Sequence, residues 1–541
     1  MVTKMFSQAL LSALCLSGAA AQEAEPKGLL ERFPREPLIN EIVFFKPVSG
    51  HHFNEQAGAD CGGGRRLESG EKAVRCQYGK PGRVEAKLYV CDDAKTFCRQ
   101  EKAELRVGGS AAKGQYSEHP RKISRSPNVA APGFIQNDVS KALELAKSKK
   151  SPILIFFTQL YCPPCNLFKE VTLSDAAFQK ETEELVKLQV DWDVEIPERL
   201  TGLEVPSTPA LLLVDRELRE IGRFARFSSP ELTLRWIREQ SALADSPVET
   251  LAKKEKRSLA EAKRLGRWWH ERKEHEKAVA ALAAYKESDA EAGLYHDWAA
   301  AQSKKGEDYL QAVGPLVGRI TDCQSHYPLW RLIPEEKDKV SDNYYAGAIE
   351  IIRGELRRTE SGGARLDCLL NRAYLNEILA GVRMHQGDRR SARAAIEEAV
   401  SAYQGFQIHT PQGRGKSPKV YQAMAWSRIQ AGEGEKLYHE LKAEDPANFS
   451  YEYLQASELL DQKLYERALE TLAKAEAKAM GNNWFRIKRL KTEILVKAGR
   501  KEEARRHIAQ ALTQVRLPAS ETSSGQRFVG AMRRFEAELA D

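Results

Sequence analysis

Long apolar runs are missing from most of this 541-residue sequence. After the first residues, the longest apolar runs, around Ile153 to Phe157 and Ala210 to Val214, are only as long as β-strands. A helix that spans a membrane needs roughly 18 consecutive apolar residues. The sequence therefore predicts no transmembrane segment, and the mature protein is expected to be soluble.

A strong excess of one charge is missing as well. The formal net charge is +7 with 29% charged residues, and the lysines and arginines are interleaved with glutamates. A small basic cluster, Arg121 to Arg125, lies in a stretch rich in glycine, serine and proline, which is typical of a linker. This pattern argues against nucleic acid as the main partner, because a nucleic-acid site needs a continuous basic face.

Metal ligands are scarce around the one CxxC motif, Cys162 to Cys165. A zinc site needs four ligands, and a CxxC motif supplies only two of them. The segment from Phe134 to Gln240 contains no histidine and no second CxxC motif. The adjacent pair His51 and His52 could bind a metal in isolation, but such a pair is more often part of a strand or loop. We therefore expect neither a metal nor a cofactor.

The first residues have the form of a secretory signal. They contain one lysine early, an apolar stretch of about ten residues, and Ala19 to Ala21 where a signal peptidase would cut. A signal peptide at 1–21, cleaved near Ala21, predicts a periplasmic or secreted protein. The alternative is an amino-terminal helix of the mature protein.

Nine cysteines are present, and eight remain when Cys15 is removed with the signal. An even number in an oxidising compartment permits complete pairing, although the sequence alone does not define the pairs. The cysteines fall into local groups, so local pairs are the simplest expectation. Cys61 and Cys76 are then a structural disulfide, and Cys323 and Cys368 a brace between neighbouring helices.

Changes in composition predict a multidomain α+β protein. Short β-type runs separated by turn residues predict a small β-sandwich, and alternating helices and strands predict an α/β domain. Alanine-rich amphipathic helices then predict an all-α helical-repeat solenoid. The predicted boundaries are 22–110 for the β-sandwich, 111–133 for an exposed linker, 134–243 for the α/β domain and 246–541 for the solenoid.

Within the α/β domain the expected order is helix, strand, helix, strand, short helix, two paired strands and helix. The segment that begins at Cys165 and runs to Leu185 is expected to form one long helix. Both apolar runs named above are expected to be buried strands.

The helical region repeats one spacing four times. A turn residue is followed at five, nine and twelve residues by small or apolar residues that share one helix face. The four turn residues are Lys273, Gly387, Lys463 and Gly499. This pattern resembles degenerate tetratricopeptide repeats, in which helical hairpins stack into a solenoid.

The CPPC motif could be a redox centre, half of a metal site or a structural staple. A two-residue loop gains little chain entropy from closure, so a staple is a poor use of it. Redox exchange benefits from the closeness, because Cys162 can attack a disulfide and Cys165 can resolve the mixed disulfide. A helix amino terminus stabilises the attacking thiolate, and prolines suit the early helical positions.

A strand, CxxC, a helix and then Val205-Pro206-Ser207-Thr208-Pro209 before another strand together resemble the thioredoxin superfamily. The resemblance implies a cis-proline at Pro209 beside the cysteine pair, with Tyr161, Thr208 and Pro209 in contact with substrate. The sequence departs from the family at Phe156, where many reducing members have a buried aspartate, and at Tyr161, where tryptophan is usual. Pro164 also lacks an N–H group for the Cys162 thiolate, which favours reducing behaviour.

Cys91 and Cys98 flank a short polar turn between two strand-like runs. A hairpin closed by such a disulfide resembles the amino-terminal, immunoglobulin-like periplasmic domain of transmembrane thiol-disulfide interchange proteins. The resemblance implies a second redox pair that exchanges electrons with Cys162 and Cys165. The alternative is a structural disulfide.

These features predict an extracytoplasmic thiol-disulfide oxidoreductase, with Cys162 as nucleophile and Cys165 as resolving thiol. We expect protein disulfides as substrates, helical repeats that recruit the client, and reduction or isomerisation as the direction. An upstream electron donor is implied, for which a membrane reductase is one candidate. The alternatives are a scaffold without catalysis and a redox-sensing binding protein.

Overall fold

The fold is taken from a computed structural model. It describes residues 29–540 apart from these gaps: 32–36, 39, 95–97, 109–127, 194–199, 201–202, 204, 206, 243–246, 321–322, 335–339, 361–362, 364, 410–415, 516 and 518–523. The predicted signal peptide and most of the predicted linker lie outside the described residues. Within the described part of the chain, no helix is long and apolar enough to cross a membrane.

The chain forms two compact units. Of the described residues, the first unit contains those of 126–192 and 205–478, and the second contains those of 29–125, 193–204 and 479–541. The predicted change from sheets and an α/β segment to a large helical carboxy-terminal region is confirmed.

The first unit contains a five-stranded sheet in the order β12-β11-β9-β10-β8. Strands β8, β9 and β10 run parallel, and β11 is antiparallel to both β9 and β12. The two apolar runs become the central strands β9 and β11, and every residue of both strands is buried. The strands are β8 (Ile135–Gln136), β9 (Ile153–Thr158), β10 (Val186–Asp191), β11 (Ala210–Val214) and β12 (Glu220–Phe224).

Four α-helices accompany this sheet, and the expected long helix after Cys165 is interrupted. Helix α2 continues as a π-helix, Phe168–Leu173, and the chain then breaks at Ser174. The Asp175 side chain accepts the Phe178 N–H at 2.9 Å and so caps a new helix. The helices are α1 (Val139–Lys149), α2 (Pro163–Leu167), α3 (Ala176–Glu181) and α4 (Pro230–Ser241).

Residues 128–133, assigned above to the exposed linker, contact the sheet. The Asn128 side chain is buried and donates to Asp191 at 2.8 Å, and the Ala131 N–H donates to Gln189 Oε1 at 2.9 Å. These contacts anchor the entry to the domain at the end of β10.

The rest of the first unit is helical. Its helices are α5 (Val248–Lys253), α6 (Leu259–Glu271), α7 (His275–Leu282), α8 (Ala290–Ala301), α9 (Gly306–Val317), α10 (His326–Leu329), α11 (Asp342–Glu360), α12 (Leu366–Gln386), α13 (Arg389–His409), α14 (Lys416–Ser427), α15 (Ala431–Glu444), α16 (Phe449–Asp461) and α17 (Tyr465–Lys478).

The four predicted turn residues all have left-handed backbone conformations. Lys273, Gly387, Lys463 and Gly499 have φ values of 64°, 91°, 61° and 72°. At each, the next residue donates its N–H to a carbonyl five residues back, as in Leu464 to Leu459 at 2.9 Å. This is the Schellman arrangement that ends a helix and reverses the chain. The predicted turns are therefore confirmed, whereas assignment to a repeat family stays a prediction.

Polar and aromatic contacts hold the helices against the sheet domain within the first unit. Arg226 pairs with Glu271 of α6 at 2.7 Å, and Arg264 donates to the Ile221 carbonyl of β12 at 2.7 Å. Phe227 packs edge-on against Phe406 of α13, with ring centroids 6.2 Å apart. The α/β domain and helices α8 to α16 thus share one continuous core, and α5 and α6 form a smaller cluster of Val248, Leu265 and Trp268.

The second unit contains two sheets that share one core. The first sheet has the order β1-β5-β4, and the second has β2-β6-β3 with β7 paired to β6. The strands are β1 (Ile42–Phe45), β2 (His51–Phe53), β3 (Ala59–Asp60), β4 (Arg65–Gly70), β5 (Ala73–Gln77), β6 (Gly82–Asp92) and β7 (Cys98–Val107).

The last three helices belong to this second unit rather than to the first. They are α18 (Asn483–Lys497), α19 (Lys501–Thr513) and α20 (Ser524–Ala540). Asn40 donates to the Leu517 carbonyl at 3.1 Å, and Arg533 lies 3.4 Å from the buried carboxylate of Glu41. Polar contacts therefore join the sheets to these helices.

A buried carboxyl group lies on α16 in the first unit. Glu458 accepts a hydrogen bond from the Tyr438 hydroxyl at 3.2 Å and lies near Ser427 and Arg428. Burial raises the pKa of Glu458 to about 8. This carboxyl group therefore stays protonated in the folded protein well above the pH at which it ionises in the unfolded chain.

Replacement of Lys463 by glycine is expected to stabilise the first unit by about 0.5–1 kcal/mol, because glycine adopts a left-handed conformation without a Cβ clash. The Lys463 side chain is exposed, so little packing is lost. Urea unfolding measures the change. Lys463→Ala keeps the Cβ atom and serves as the control, expected within about 0.5 kcal/mol of wild type. An equal gain in both variants would contradict the backbone explanation.

Replacement of Glu458 by glutamine is expected to flatten the pH dependence of stability. Below the ordinary pKa of 4.5, both the folded and unfolded states hold the proton; between 4.5 and about 8 only the folded state holds it, so wild type loses stability as pH rises. The variant should match wild type near pH 4.5 and exceed it by about 2–4 kcal/mol at pH 9. Parallel stability curves for the two proteins would show that burial of Glu458 has no such effect.

Candidate redox site

The candidate redox pair, Cys162 and Cys165, lies just beyond the end of the central strand β9. Every residue of β9 is buried, and a turn of Gln159, Leu160 and Tyr161 leads from Thr158 into Cys162. The Asn166 side chain donates to the Leu160 carbonyl at 3.0 Å and so holds this turn against the first turn of the helix. The strand and the helix thereby determine the position of Cys162.

Cys162 is the N-cap of helix α2. Its backbone is extended, with φ −106° and ψ 103°, and its sulfur accepts the Cys165 N–H at 3.3 Å. Pro163 and Pro164 occupy the first two helical positions, so Cys165 is the first residue of the helix that has an N–H to donate. The two sulfurs are joined in a disulfide.

The loop before β11 brings Thr208 and Pro209 beside the pair. The Thr208–Pro209 peptide bond is cis. The Thr208 carbonyl oxygen lies 4.0 Å from Cys162 Sγ, and the Thr208 hydroxyl oxygen lies 3.8 Å from the same sulfur. The residues that the resemblance placed near the pair are therefore adjacent to Cys162 in the fold.

At Phe156, where the resemblance raised the question of a buried aspartate, the interior of the domain is aromatic. Phe156 is fully buried, and its ring lies edge-on to Phe134 and Phe168 with centroids 6.3 and 5.7 Å away. A phenyl ring cannot accept a proton. Cys165, which is also fully buried, must therefore lose its proton to another group or to water.

Helix α16 contributes Phe449 to the surroundings of the pair. The Tyr161 and Phe449 rings meet edge-on at 5.8 Å, and helix α14 packs against α2. Cys162 is 7% exposed, and Tyr161 and Thr208 are each only partly exposed. Cys162 thus lies in a partly covered position beside helices α14 and α16.

Sequence reasoning missed Gln159 and Phe449. Gln159 Oε1 accepts the Thr208 hydroxyl at 3.1 Å, which links the turn before Cys162 to the loop before β11. A polar residue in that short turn could have been singled out from the sequence. No local signal points to Phe449, because its contact with Tyr161 depends on the tertiary fold.

The Cys91–Cys98 disulfide lies in the second unit, on the β6–β7 hairpin, where the two residues face each other across the strands. Cys91 is buried, whereas Cys98 is exposed. His52 pairs with Cys91 across β2 and β6, and its Nδ1 lies 3.1 Å from the Asp93 carboxylate.

The other cysteines form two disulfides away from these hairpin and helix sites. Cys61–Cys76 links the residue after β3 to β5 of the other sheet, and Cys323–Cys368 links α12 to the chain before α10. Asp367 lies close enough to Cys323 and Cys368 for three ligand atoms to fall within 4.8 Å. Both of those sulfurs are bonded to each other, and Asp367 accepts from Arg365 at 2.7 Å, so these ligand atoms are already engaged.

Comparison with known proteins identifies one domain. Residues 134–216 match the thioredoxin-like family. No curated protein matches the chain. Among 34 solved chains that match is a DsbH oxidoreductase with 20% identity, for which the alignment covers 23% of this chain and 94% of the other with a TM-score of 0.19. The family match spans β8 to β11 and therefore includes the CPPC segment and the cis peptide bond.

The partly covered position of Cys162 predicts selection by size. In the reduced protein, iodoacetamide should modify Cys162 readily, whereas a maleimide on a 5-kDa polymer should react at least about tenfold more slowly than it does with an exposed thiol. The ratio of the two rates removes differences in thiol pKa. Ser148→Cys, at an exposed position of α1, supplies the reference thiol when the native pair is kept oxidised. Equal ratios at both cysteines would show that Cys162 is open.

Proposed function

We propose that the protein is an extracytoplasmic thiol-disulfide oxidoreductase that acts on protein disulfides through Cys162 and Cys165. The observation that carries the proposal is the position of Cys162 as a helix N-cap, with its sulfur beside both the Cys165 N–H and Thr208. A sulfur in this position can form a stabilised thiolate, and a second thiol is within bonding distance. The thioredoxin-like family match of this segment supports the same chemistry.

In the first step, the Cys162 thiolate attacks one sulfur of a client disulfide. The client S–S bond breaks, a mixed disulfide forms on Cys162, and the second client sulfur leaves as a thiolate that takes a proton from water. The Cys165 N–H, 3.3 Å from Cys162 Sγ, is positioned to stabilise the attacking thiolate before this step.

In the second step, Cys165 loses its proton and attacks the Cys162 sulfur. The mixed disulfide breaks, the client leaves with its second thiol, and the Cys162–Cys165 disulfide closes. Two electrons and two protons have then moved from the pair to the client. The disulfide present in the structure is the product of this step, and an external dithiol donor must reduce it; a membrane reductase is one candidate.

Two features favour reduction or isomerisation over strong oxidation. Pro164, at the second helical position, lacks the N–H that could otherwise donate to the Cys162 thiolate. The Phe156 ring adds no positive charge or hydrogen bond near the pair. A less stabilised thiolate lowers the reduction potential of the pair, which makes the dithiol the better electron donor.

Complete cysteine pairing supports an extracytoplasmic location. All eight cysteines beyond Cys15 are in disulfides in the structure. Structural disulfides persist in oxidising compartments and are rare in the cytosol. The proposed signal peptide at 1–21 would deliver the protein there.

The helical region is proposed to select the client. Tyr161 and Phe449 bring α16 to the edge of the redox pair, so a client must pass the helices before its disulfide reaches Cys162. A narrow approach suits an extended or locally unfolded segment, which can also pair with the backbone near Thr208. Disulfides on rigid, folded surfaces would be poorer substrates.

One further function is supported by the same contact. Because the redox helix packs directly on α14, oxidation or reduction of the pair could change how the helices bind a partner. The protein would then be a redox-sensing binding protein, and turnover would be absent.

Catalysis of insulin reduction by a dithiol is expected for wild type. Cys162→Ser should reduce the rate to background, because the nucleophile is lost, and Cys165→Ser should accumulate mixed disulfides on Cys162, because nothing resolves them. Gel analysis under non-reducing conditions identifies the trapped client. Equal rates for wild type and Cys162→Ser would favour the binding functions instead.

The Cys91–Cys98 disulfide is proposed to be structural, with electron exchange as the alternative. The double variant Cys91→Ser/Cys98→Ser should keep its insulin activity and lose about 2 kcal/mol of stability in the second unit. Exposure of Cys98 would allow attack at that sulfur with Cys91 as leaving thiol. A large loss of activity with unchanged stability would therefore establish the exchange function.

A further inference from the structure

The Thr208 hydroxyl group lies between two acceptors. Its oxygen is 3.1 Å from Gln159 Oε1, to which it donates, and 3.8 Å from Cys162 Sγ. A hydroxyl has one proton and can therefore donate one strong hydrogen bond. As long as that proton points to Gln159, the hydroxyl presents only lone pairs to the sulfur.

The two redox states of Cys162 make different demands on this hydroxyl. The disulfide sulfur is a weak acceptor, so the bond to Gln159 costs little in the oxidised state. A thiolate gains from every donor, because hydrogen bonds to charged groups are stronger than those between neutral groups. In the reduced state, the Gln159 side chain and the Cys162 thiolate compete as acceptors for the one hydrogen bond that the Thr208 hydroxyl can donate.

Few other donors are available to the thiolate. Pro163 and Pro164 have no N–H groups, and the Cys165 N–H is already directed at Cys162 Sγ at 3.3 Å. The Thr208 hydroxyl is thus the adjustable donor among the described contacts of this sulfur.

We propose that Gln159 is a positioning residue that withholds the Thr208 hydroxyl from the Cys162 thiolate and so keeps the CPPC pair reducing. It acts through Thr208 and does not contact the reacting sulfur. The proposal rests on the proposed function, since it assumes Cys162 as the nucleophile, but it concerns the equilibrium properties of the pair rather than turnover.

Charged groups on the helices that pack against this region form ion pairs of their own. Lys419 of α14 pairs with Glu440 and Glu444, each at 2.8 Å, and Glu452 of α16 pairs with Lys478 at 2.5 Å. Among the side chains that the structure describes, the other titratable groups on α2, the π-helix, α14 and α16 are Lys169, Glu170, Tyr421, Tyr451, Tyr453, Glu458 and Asp461, and Tyr161 lies in the turn before Cys162. Neutral substitutions at Gln159 leave all of them in place.

The test uses full-length protein with Gln159→Leu, a neutral change of similar size. Thiolate absorbance at 240 nm against pH reports the Cys162 titration, and equilibration with glutathione reports the potential. Without Gln159 as acceptor, the Thr208 hydroxyl can donate its hydrogen bond to the Cys162 thiolate, which should lower the pKa of Cys162 by about one unit. That tenfold gain in thiolate stability corresponds to a potential up to about 30 mV more positive.

The matched background is Thr208→Val, which removes the hydroxyl and keeps the shape. In that background Gln159→Leu should change neither the titration nor the potential, because no proton remains to redirect. A shift of equal size in both backgrounds would overturn the proposal, as would an unchanged or raised pKa in Gln159→Leu alone. These readouts need no client, so a protein without insulin activity could still pass or fail this test.

Discussion

Cys162 is held between a buried strand and the helix that it caps, and the geometry of the candidate redox pair depends on both. It is reached by a short turn from the fully buried strand β9, and its sulfur caps the helix that follows. A buried central strand cannot slide without exposing its apolar side chains. The sulfur is therefore held at a defined distance from the Cys165 N–H and from Thr208, which arrives from the neighbouring strand β11.

The chemical character proposed for the site depends on the hydrogen-bond donors and acid-base groups that are missing around Cys162. The two prolines leave the Cys165 N–H as the first helical donor to the sulfur, the buried Phe156 ring offers no acid-base group, and Gln159 accepts the hydrogen bond of the Thr208 hydroxyl. Each of these features removes a donor or an acid-base group from the pair. In the proposed function, the missing donors leave the Cys162 thiolate less stabilised than a full set of donors would, and this is the basis for proposing an electron donor instead of a strong oxidant.

Local patterns were read correctly where local physics decides. The apolar runs became β9 and β11, because such runs must be buried, and the four turn residues took left-handed conformations, because the following helix hairpin requires a reversal there. The prediction of one long helix from Cys165 to Leu185 was wrong. The Asp175 side chain accepts the Phe178 N–H and starts a new helix, which competes with continuation of the first one. The apolar periodicity from which the long helix was predicted does not report such a cap.

The division into compact units was also beyond local patterns. Helices α18 to α20 look like the helices before them, yet they pack with the two sheets, through contacts such as Arg533 to Glu41 that join distant parts of the chain.

By itself, the sequence determined the residues on which the proposed redox chemistry rests: two cysteines at the start of a helix, a Thr-Pro pair before a strand, and neither a histidine nor a second CxxC motif between Phe134 and Gln240. These are properties of spacing and residue type. Only the tertiary structure decided how exposed Cys162 is to solvent, which helix lies beside it, and which side chain accepts the hydrogen bond of the Thr208 hydroxyl. Those properties depend on contacts between residues far apart in the chain, such as Tyr161 with Phe449, and the packing of the whole unit determines them.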